Sequence, residues 1–321
     1  MEKLIIGTRG SALALAQTDL VIRQMKEKAP KVECEICIIT TKGDKILDKP
    51  LVEFGGKGVF VTEIEEKLKN GEIDLAVHSA KDMPMELAEG LSIIGVLKRE
   101  DPRDVLVTTD WEGFLKKEHP VIGTSSLRRQ AQIQQEFPDA VCQTLRGNVN
   151  TRLKKLEEGM YDGILLAAAG LRRLGLEKEE KFHYHVLDID RMIPAGGQGI
   201  IAVEGREDSR FLGLLESITN EKAKIELELE RKALRLLEAD CHEPVGVFTR
   251  LERETEERAA KEAENRKMSS IGAEHKKATM SRMISIWMCR EMDGQLKRKM
   301  TKVSLERAET TLKELAEDFR R

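Results

Sequence analysis

Between Val77 and Pro84 the chain reads Val-His-Ser-Ala-Lys-Asp-Met-Pro. Lys81 beside Asp82 sets a cation next to a carboxylate. Such a pair can hold an anion and, one residue on, stabilise a cation or move a proton. The apolar run from Ile73 to Val77, with Gly71 ahead of it and Pro84 behind, reads as a buried strand opening into a loop. In open α/β sheets, ligands gather outside the carboxyl ends of the strands, which puts His78, Ser79, Lys81 and Asp82 where chemistry usually happens. Taken alone, the stretch is more often a solvated charged turn. The rest of the chain tips the balance.

Leu4-Ile5-Ile6 is a first strand, followed by Gly7-Thr8-Arg9-Gly10-Ser11 and a helix from about Ala12 to Lys28. Strand, glycine, hydroxyl and helix together point free backbone N–H groups at an anion, and Arg9 adds a planar donor fork suited to carboxylate. An ordinary N-cap by Ser11 is compatible with that role. Val121-Ile122-Gly123-Thr124-Ser125-Ser126 repeats the design, so two similar halves would face each other across a cleft. Arg128 and Arg129, then Arg146 and Arg152, then Arg172 and Arg173 each follow a predicted strand: Val121–Gly123, Val141–Leu145 and Gly163–Ala168. A surface charge run would not be tied so regularly to strand ends, so these arginines read as the lining of a polyanion-binding cleft.

The 321 residues, 40% apolar and 35% charged, allow two or three domains with real cores. The net charge of −3 gives no general attraction to nucleic acid or an acidic membrane. The basic stretch also lacks the interleaved aromatics of a single-strand binder. No apolar run reaches the length of a membrane span, and Met1-Glu2-Lys3 leads straight into the first strand, too soon for a secretory signal. Five cysteines without a disulfide framework suggest a reducing cytoplasm. Cys34 and Cys37 lie in a strand with no partner pair and read as structural, so no metal site is expected. Phe54-Gly55-Gly56-Lys57-Gly58 is no phosphate-binding P-loop and reads as a mobile flap or hinge. Lys98 to Asp104 looks like a crossing into a second domain, and the Pro/Gly-rich segment from Met192 leads back through a strand. A helix from about Asn220 to Glu238 then runs to a turn holding Cys241. A strand over Ile284–Cys289, a hairpin turn at Asp293-Gly294 and an amphipathic helix over Val303–Phe319 close the chain. Of the sixteen residues from Glu252 to Lys267, eleven are charged, so this run is a solvated excursion rather than core.

In order and in combination, Gly7-Thr8-Arg9-Gly10-Ser11, His78-Ser79-Ala80-Lys81-Asp82-Met83-Pro84, Arg99-Glu100-Asp101-Pro102-Arg103-Asp104, Leu145-Arg146-Gly147-Asn148, Pro194-Ala195-Gly196-Gly197-Gln198-Gly199 and Cys241 ahead of Pro244 resemble the porphobilinogen deaminases, or hydroxymethylbilane synthases, of tetrapyrrole biosynthesis. The resemblance implies an α/β fold of two periplasmic-binding-protein-like lobes plus a small α+β C-terminal domain. It divides the chain into residues 1–98 with 197–217, residues 103–192, and residues 220–321 with a charged insertion at about 250–283. It implies a transferase that condenses four porphobilinogens head to tail on a dipyrromethane cofactor, releasing ammonia, before hydrolysis frees the linear tetrapyrrole.

By the same resemblance Cys241 anchors that cofactor through a thioether, and Asp82 with Lys81 is catalytic. Arg9, Ser11, Lys81, Thr124, Ser126, Arg128, Arg129, Arg146 and Gly147 bind the cofactor. Arg9, Arg146, Arg152, Arg173 and Gln198 bind substrate, and Lys57 and Phe60 belong to a loop over the cleft. Ala239-Asp240 stands where the family has a small pair, and a carboxylate beside the thiol should raise its pKa. A cytoplasmic monomer is expected, with a transient contact to a uroporphyrinogen-III synthase left open. The competing reading is a two-lobed anion-binding protein without catalysis. Asp82 and Cys241 together speak against it, because carboxylate binding alone needs neither.

Overall fold

The computed structural model of the chain describes residues 3–41, 61–239, 243–252 and 282–320. Lys57, Phe60, Asp240, Cys241 and nearly all of the charged run after Glu252 lie outside these residues.

Strand β1 (Lys3–Thr8) leads to helix α1 (Ala12–Lys28), whose Ser11 cap accepts from the Ala14 amide at 3.2 Å. Strands β2 (Glu33–Ile38) and β3 (Leu75–Ser79) pair in parallel on either side of β1. Between them in sequence, helix α2 (Thr62–Lys69) buries Ile64 and Leu68. A 3-10 turn over Ala80–Asp82 follows β3 directly. Strand β4 (Leu91–Val96) closes the sheet, separated from β3 by β10 (Ile201–Arg206), which runs antiparallel to both. The order is β2-β1-β3-β10-β4.

A second sheet is built the same way. Its parallel strands are β6 (Val121–Gly123), β7 (Val141–Gln143) and β8 (Gly163–Ala167). Strand β5 (Asp104–Thr108) is antiparallel to β8 and to the edge strand β9 (His183–Val186), giving β7-β6-β8-β5-β9. Helices α3 (Trp111–Lys116), α4 (Leu127–Glu136), α5 (Val149–Glu157) and α6 (Ala168–Arg173) connect these strands. Strands β1 and β6 thus hold equivalent places, so the Gly-Thr repeat marks one structural position used twice. Both glycines are required by packing. A Cβ on Gly7 would collide with Ile73, and one on Gly123 would meet the Tyr161 ring at 2.8 Å. Each sheet also takes its antiparallel inner strand from a crossing of the chain: β5 on the way out, β10 on the way back.

Helix α7 (Leu212–Ile218) packs Leu215 and Ile218 into the first lobe's core. Helix α8 (Glu221–Leu236) starts at the Asn220 cap and lies with helix α9 (Ala308–Asp318) against an antiparallel sheet of β11 (Val245–Leu251), β12 (Met283–Met292) and β13 (Gln295–Ser304). This is the small α+β domain. Asp293 and Gly294 both take positive φ, 52° and 77°, as a tight hairpin turn demands. The helix expected over Val303–Phe319 starts later. Val303 pairs with Ile284 in the β12–β13 ladder, a 3-10 turn spans Leu305–Arg307, and α9 begins at Ala308.

The third domain is fastened to both crossings. Arg99 donates to Glu226 at 3.1 Å and to Glu230 at 2.5 Å on α8. Glu230 also accepts from the amides of Gly197 and Thr249, each at 2.7 Å. The Val247 amide donates to the Pro194 carbonyl at 3.0 Å, and Trp287 Nε1 donates to Asp190 at 2.7 Å.

Candidate active site

Because β1 and β3 are parallel neighbours, Arg9, Ser11, Lys81 and Asp82 leave the first sheet at the same edge. The second sheet does the same with Thr124, Ser126, Arg146, Gly147 and Arg173. Ser79 is steadied by Gln17 of α1, whose Nε2 donates to Ser79 Oγ at 2.8 Å. Ser126 caps α4, and the buried Thr124 Oγ1 accepts from the Ser126 amide at 3.2 Å. Gly147 has φ of 115°, and a Cβ there would run into Thr151, so only glycine fits this turn.

The sequence reading passed over Asp104 as part of a charged break, yet it is fully buried at the heart of the site. It accepts from Arg128 Nη1 at 2.7 Å, and from Arg129 Nε at 3.1 Å and Nη2 at 2.7 Å. Gln198 Nε2 donates to it at 3.0 Å and to the Pro102 carbonyl at 2.6 Å. On its other side, Gln198 Oε1 accepts from Lys81 Nζ at 3.3 Å. Gln198 therefore joins the Lys81–Asp82 turn of one lobe to the carboxylate that holds Arg128 and Arg129 in the other. Burial pushes the Asp104 carboxyl up, but Arg128, Arg129 and Lys81 outweigh it and hold it well below the usual carboxylate range.

Arg128 and Arg129 are 4% and 6% exposed. Arg128 Nη1 also reaches the Ile193 carbonyl at 2.7 Å, and Arg129 Nη1 the Leu165 carbonyl at 2.9 Å. Both are expected to bind the cofactor, and two guanidiniums on the one Asp104 carboxylate leave a positive excess there.

The remaining cations carry the mark of crowding. Burial, with Arg129 and Arg128 adding to it against Asp82 and Asp104, pushes the Lys81 ammonium down to about 8. Burial, then Arg129 and Arg146, lowers Arg152 to about 10, opposed by Asp82. Burial lowers Arg173 to about 10, opposed by Glu100, while its Nη2 donates to the Gly199 carbonyl at 2.6 Å. Arg152 Nε is anchored on the Gly147 carbonyl at 2.8 Å. Asp82, exposed at the surface of the turn, thus stands within the field of Lys81 and Arg152. Partly buried cations outnumbering their carboxylates suit a ligand with several carboxylates, the chemistry of a dipyrromethane with its acetate and propionate arms. Among the described residues, no cluster of His, Cys, Asp and Glu could hold a metal, and no helix is long and apolar enough to cross a membrane.

A two-lobed α/β protein whose facing strand ends gather more cations than carboxylates defines a class suited to polycarboxylates. Residues 4–212 match the family model described as porphobilinogen deaminase, dipyromethane cofactor binding domain. The porphobilinogen deaminase of Streptococcus sanguinis is 45% identical over 252 residues, 77% of this chain and 82% of that one. That of Alkaliphilus metalliredigens is 48% identical over 252 residues, 77% and 78% of the two chains. That of Bacillus subtilis is 46% identical over 251 residues, 78% and 79%. Among solved structures, the periplasmic VFT2 domain of Bordetella pertussis BvgS aligns with 67% of this chain and 85% of its own at 17% identity and a TM-score of 0.38. The chain belongs to the porphobilinogen deaminase family, transferases that polymerise porphobilinogen on a dipyrromethane cofactor in tetrapyrrole synthesis.

Proposed function

We propose that this chain carries out the family's condensation with Asp82 as the reacting carboxylate and Cys241 as the thioether anchor of the cofactor. The observation that carries the reading is the place of Asp82, a single exposed carboxylate in the field of Lys81 and Arg152 above a floor of buried positive charge. When bound, the dipyrromethane supplies the pyrrole carbon that is extended. The protein's own work is to bind, orient and neutralise. Arg9, Arg146, Arg152 and Arg173 hold acetate and propionate carboxylates, with Ser11, Thr124, Ser126 and the Gly147 backbone as further donors. Arg128 and Arg129 bind the cofactor's carboxylates with the positive charge that Asp104 leaves unbalanced, and Gln198, a substrate-binding residue, also fixes the reach of Lys81. Asp82 stabilises the cation left when porphobilinogen loses ammonia, and takes the proton that the attacked ring must give up. Lys57 and Phe60 close over the cleft.

The domains are residues 1–98 with 197–217, residues 103–192, and residues 220–321. The enzyme acts as a cytoplasmic monomer, in keeping with the free thiols of Cys34, Cys37, Cys142 and Cys289, and passes its product on in a transient contact with a uroporphyrinogen-III synthase.

Intact mass and turnover test the site together. The wild type should carry the extra mass of a dipyrromethane, and Cys241→Ser should lack it. Asp82→Ala should retain it while turnover falls by about 10²- to 10⁴-fold. Wild-type turnover in Asp82→Ala removes that residue from the role. A wild type that stays unmodified after incubation with porphobilinogen puts the non-catalytic anion-binding reading first.

A further inference from the structure

Behind the Asp82 turn lies a buried set of charges that the chemistry above does not use. Arg231, on α8 of the third domain, is 7% exposed. Its Nη2 donates to the carbonyls of Pro84 at 2.7 Å and Met85 at 2.8 Å, on the segment that leaves Asp82. Nη1 is buried and has no hydrogen-bond partner among the described residues. The acid that acts on Arg231 is Glu204 of β10, itself fully buried. One Glu204 oxygen lies 2.9 Å from Nε2 of His78, on the segment that enters the turn. Glu65 of α2 accepts from the Ala88 amide at 3.0 Å, and burial followed by the Glu204 charge raises its carboxyl. The Lys81–Asp82 turn is therefore held on its way out by Arg231, while His78 and Glu204 lie close together beneath its entry.

We propose that Arg231 is a positioning residue for Asp82: it ties the backbone after the reacting carboxylate to the helix that runs on toward Cys241, so the carboxylate and the cofactor anchor keep one geometry. The inference rests on the reading of Asp82 given above. A guanidinium suits the task because the two N–H groups of Nη2 lie fixed in its plane, and the delocalised charge strengthens the hydrogen bonds to two successive carbonyls. Helix α8 is a sound strut: it runs for 16 residues, and the neighbouring Glu230 and Glu226 fasten it to Arg99 on the first crossing. Arg231 extends that fastening to the catalytic turn. Without it, two carbonyls lose their donor and the turn carrying Asp82 can drift relative to Lys81 and Arg152.

The test is steady-state kinetics with porphobilinogen, expressed per mole of cofactor-bearing enzyme counted by intact mass. In Arg231→Met, kcat should fall by about 10- to 100-fold, the scale of an ångström's misplacement, with KM within about threefold of the wild type. Arg231→Lys, which keeps the charge and N–H donors but loses their fixed plane and reach, should recover part of the loss. A residue needed only for stability would lower the melting temperature and leave kcat per holoenzyme unchanged. A kcat within about twofold of the wild type in Arg231→Met, at a temperature where both are folded, overturns the proposal. If the Met variant does not fold, the Lys variant decides: a reduced kcat at unchanged KM supports the role, and a wild-type kcat overturns it. Asp82→Ala, assayed in parallel, separates the two failures. Full turnover in that variant means Asp82 is not the reacting group. Loss there beside an unaffected Arg231→Met means only the positioning role is wrong.

Discussion

Lys81 is the residue whose charge state the cleft controls most directly. Its ammonium is pushed from an ordinary 10.5 down to about 8 by burial and by Arg129 and Arg128. Below about pH 8 the charge is present and can hold a substrate carboxylate. As pH rises through that value the free enzyme loses it, and KM for porphobilinogen should climb. Stability responds with the opposite sign. Between about 8 and 10.5 the unfolded chain binds the proton and the folded chain does not, so this group's burial penalty, present in full below about 8, is relieved as pH rises. KM and the urea midpoint should therefore both rise over that range, binding weakening as the fold gains stability, and Lys81→Arg should abolish the alkaline limb of KM. A KM that stays flat in the wild type would show that Lys81 does not meet substrate. Lys81 and Asp82 were legible in the sequence because a cation and a carboxylate followed an apolar run. Asp104 was not, because a buried acid and an exposed one look alike in a string of charges. Only the packing of β5 beneath Arg128 and Arg129 tells them apart. Glu204 and Arg231 were not legible for the same reason: their meeting with His78 depends on three elements far apart in the chain.

Among the elements, the segment from Gly196 to Ile200 carries the tightest constraint. Gly199 has φ of 86°, and a Cβ there would stand 2.5 Å from the Glu100 carbonyl oxygen, part of the backbone of the other crossing. The two crossings touch through this glycine: the Glu100 amide donates to its carbonyl at 3.0 Å, and so does Arg173. Gly199→Ala should cost about 2 kcal/mol or more, from left-handed strain plus the collision. It should also lower activity by shifting the adjacent Gln198. A fall in the urea midpoint at unchanged slope is the expected result, and an unshifted midpoint would mean the crossings can part without loss. The glycines here announced a joint in the sequence, and the Asp293-Gly294 hairpin and the span of α1 were equally plain. Short elements were not. Strands β5 and β9 and helix α3 are too brief for a period to show, and their places come from pairing across the sheet. Val303 joined a helix on apolar spacing alone, whereas its ladder with Ile284 makes it strand.

At the scale of the whole molecule, the third domain stays in register with the two lobes through Arg99. Its guanidinium lies between Glu226 and Glu230 and 5.1 Å from the centre of the Phe248 ring. Burial already raises the Glu226 carboxyl, against the pull of Arg99. Arg99→Met would leave two enclosed carboxylates facing each other with, among the described residues, only the half-exposed Lys222, 3.7 Å from Glu226, as a counter-ion, at a cost of about 3–5 kcal/mol. The pH dependence identifies the cause. With the cation gone, the Glu226 carboxyl, already raised by burial, rises further above its unfolded value. The folded chain then binds more protons, and its stability falls as pH rises from the carboxylate range toward neutrality. The loss in melting temperature relative to the wild type should accordingly be larger near neutral pH than near about 5, where one proton shared between the two acids replaces the missing charge. A deficit of equal size at both values would show that Arg99 acts through packing on Phe248 alone. The same variant bears on function, because both crossings and the helix leading to Cys241 converge on this one side chain. Once it is removed, the third domain is less firmly bound to the lobes that carry Lys81 and Asp104, so turnover should fall even in molecules that remain folded.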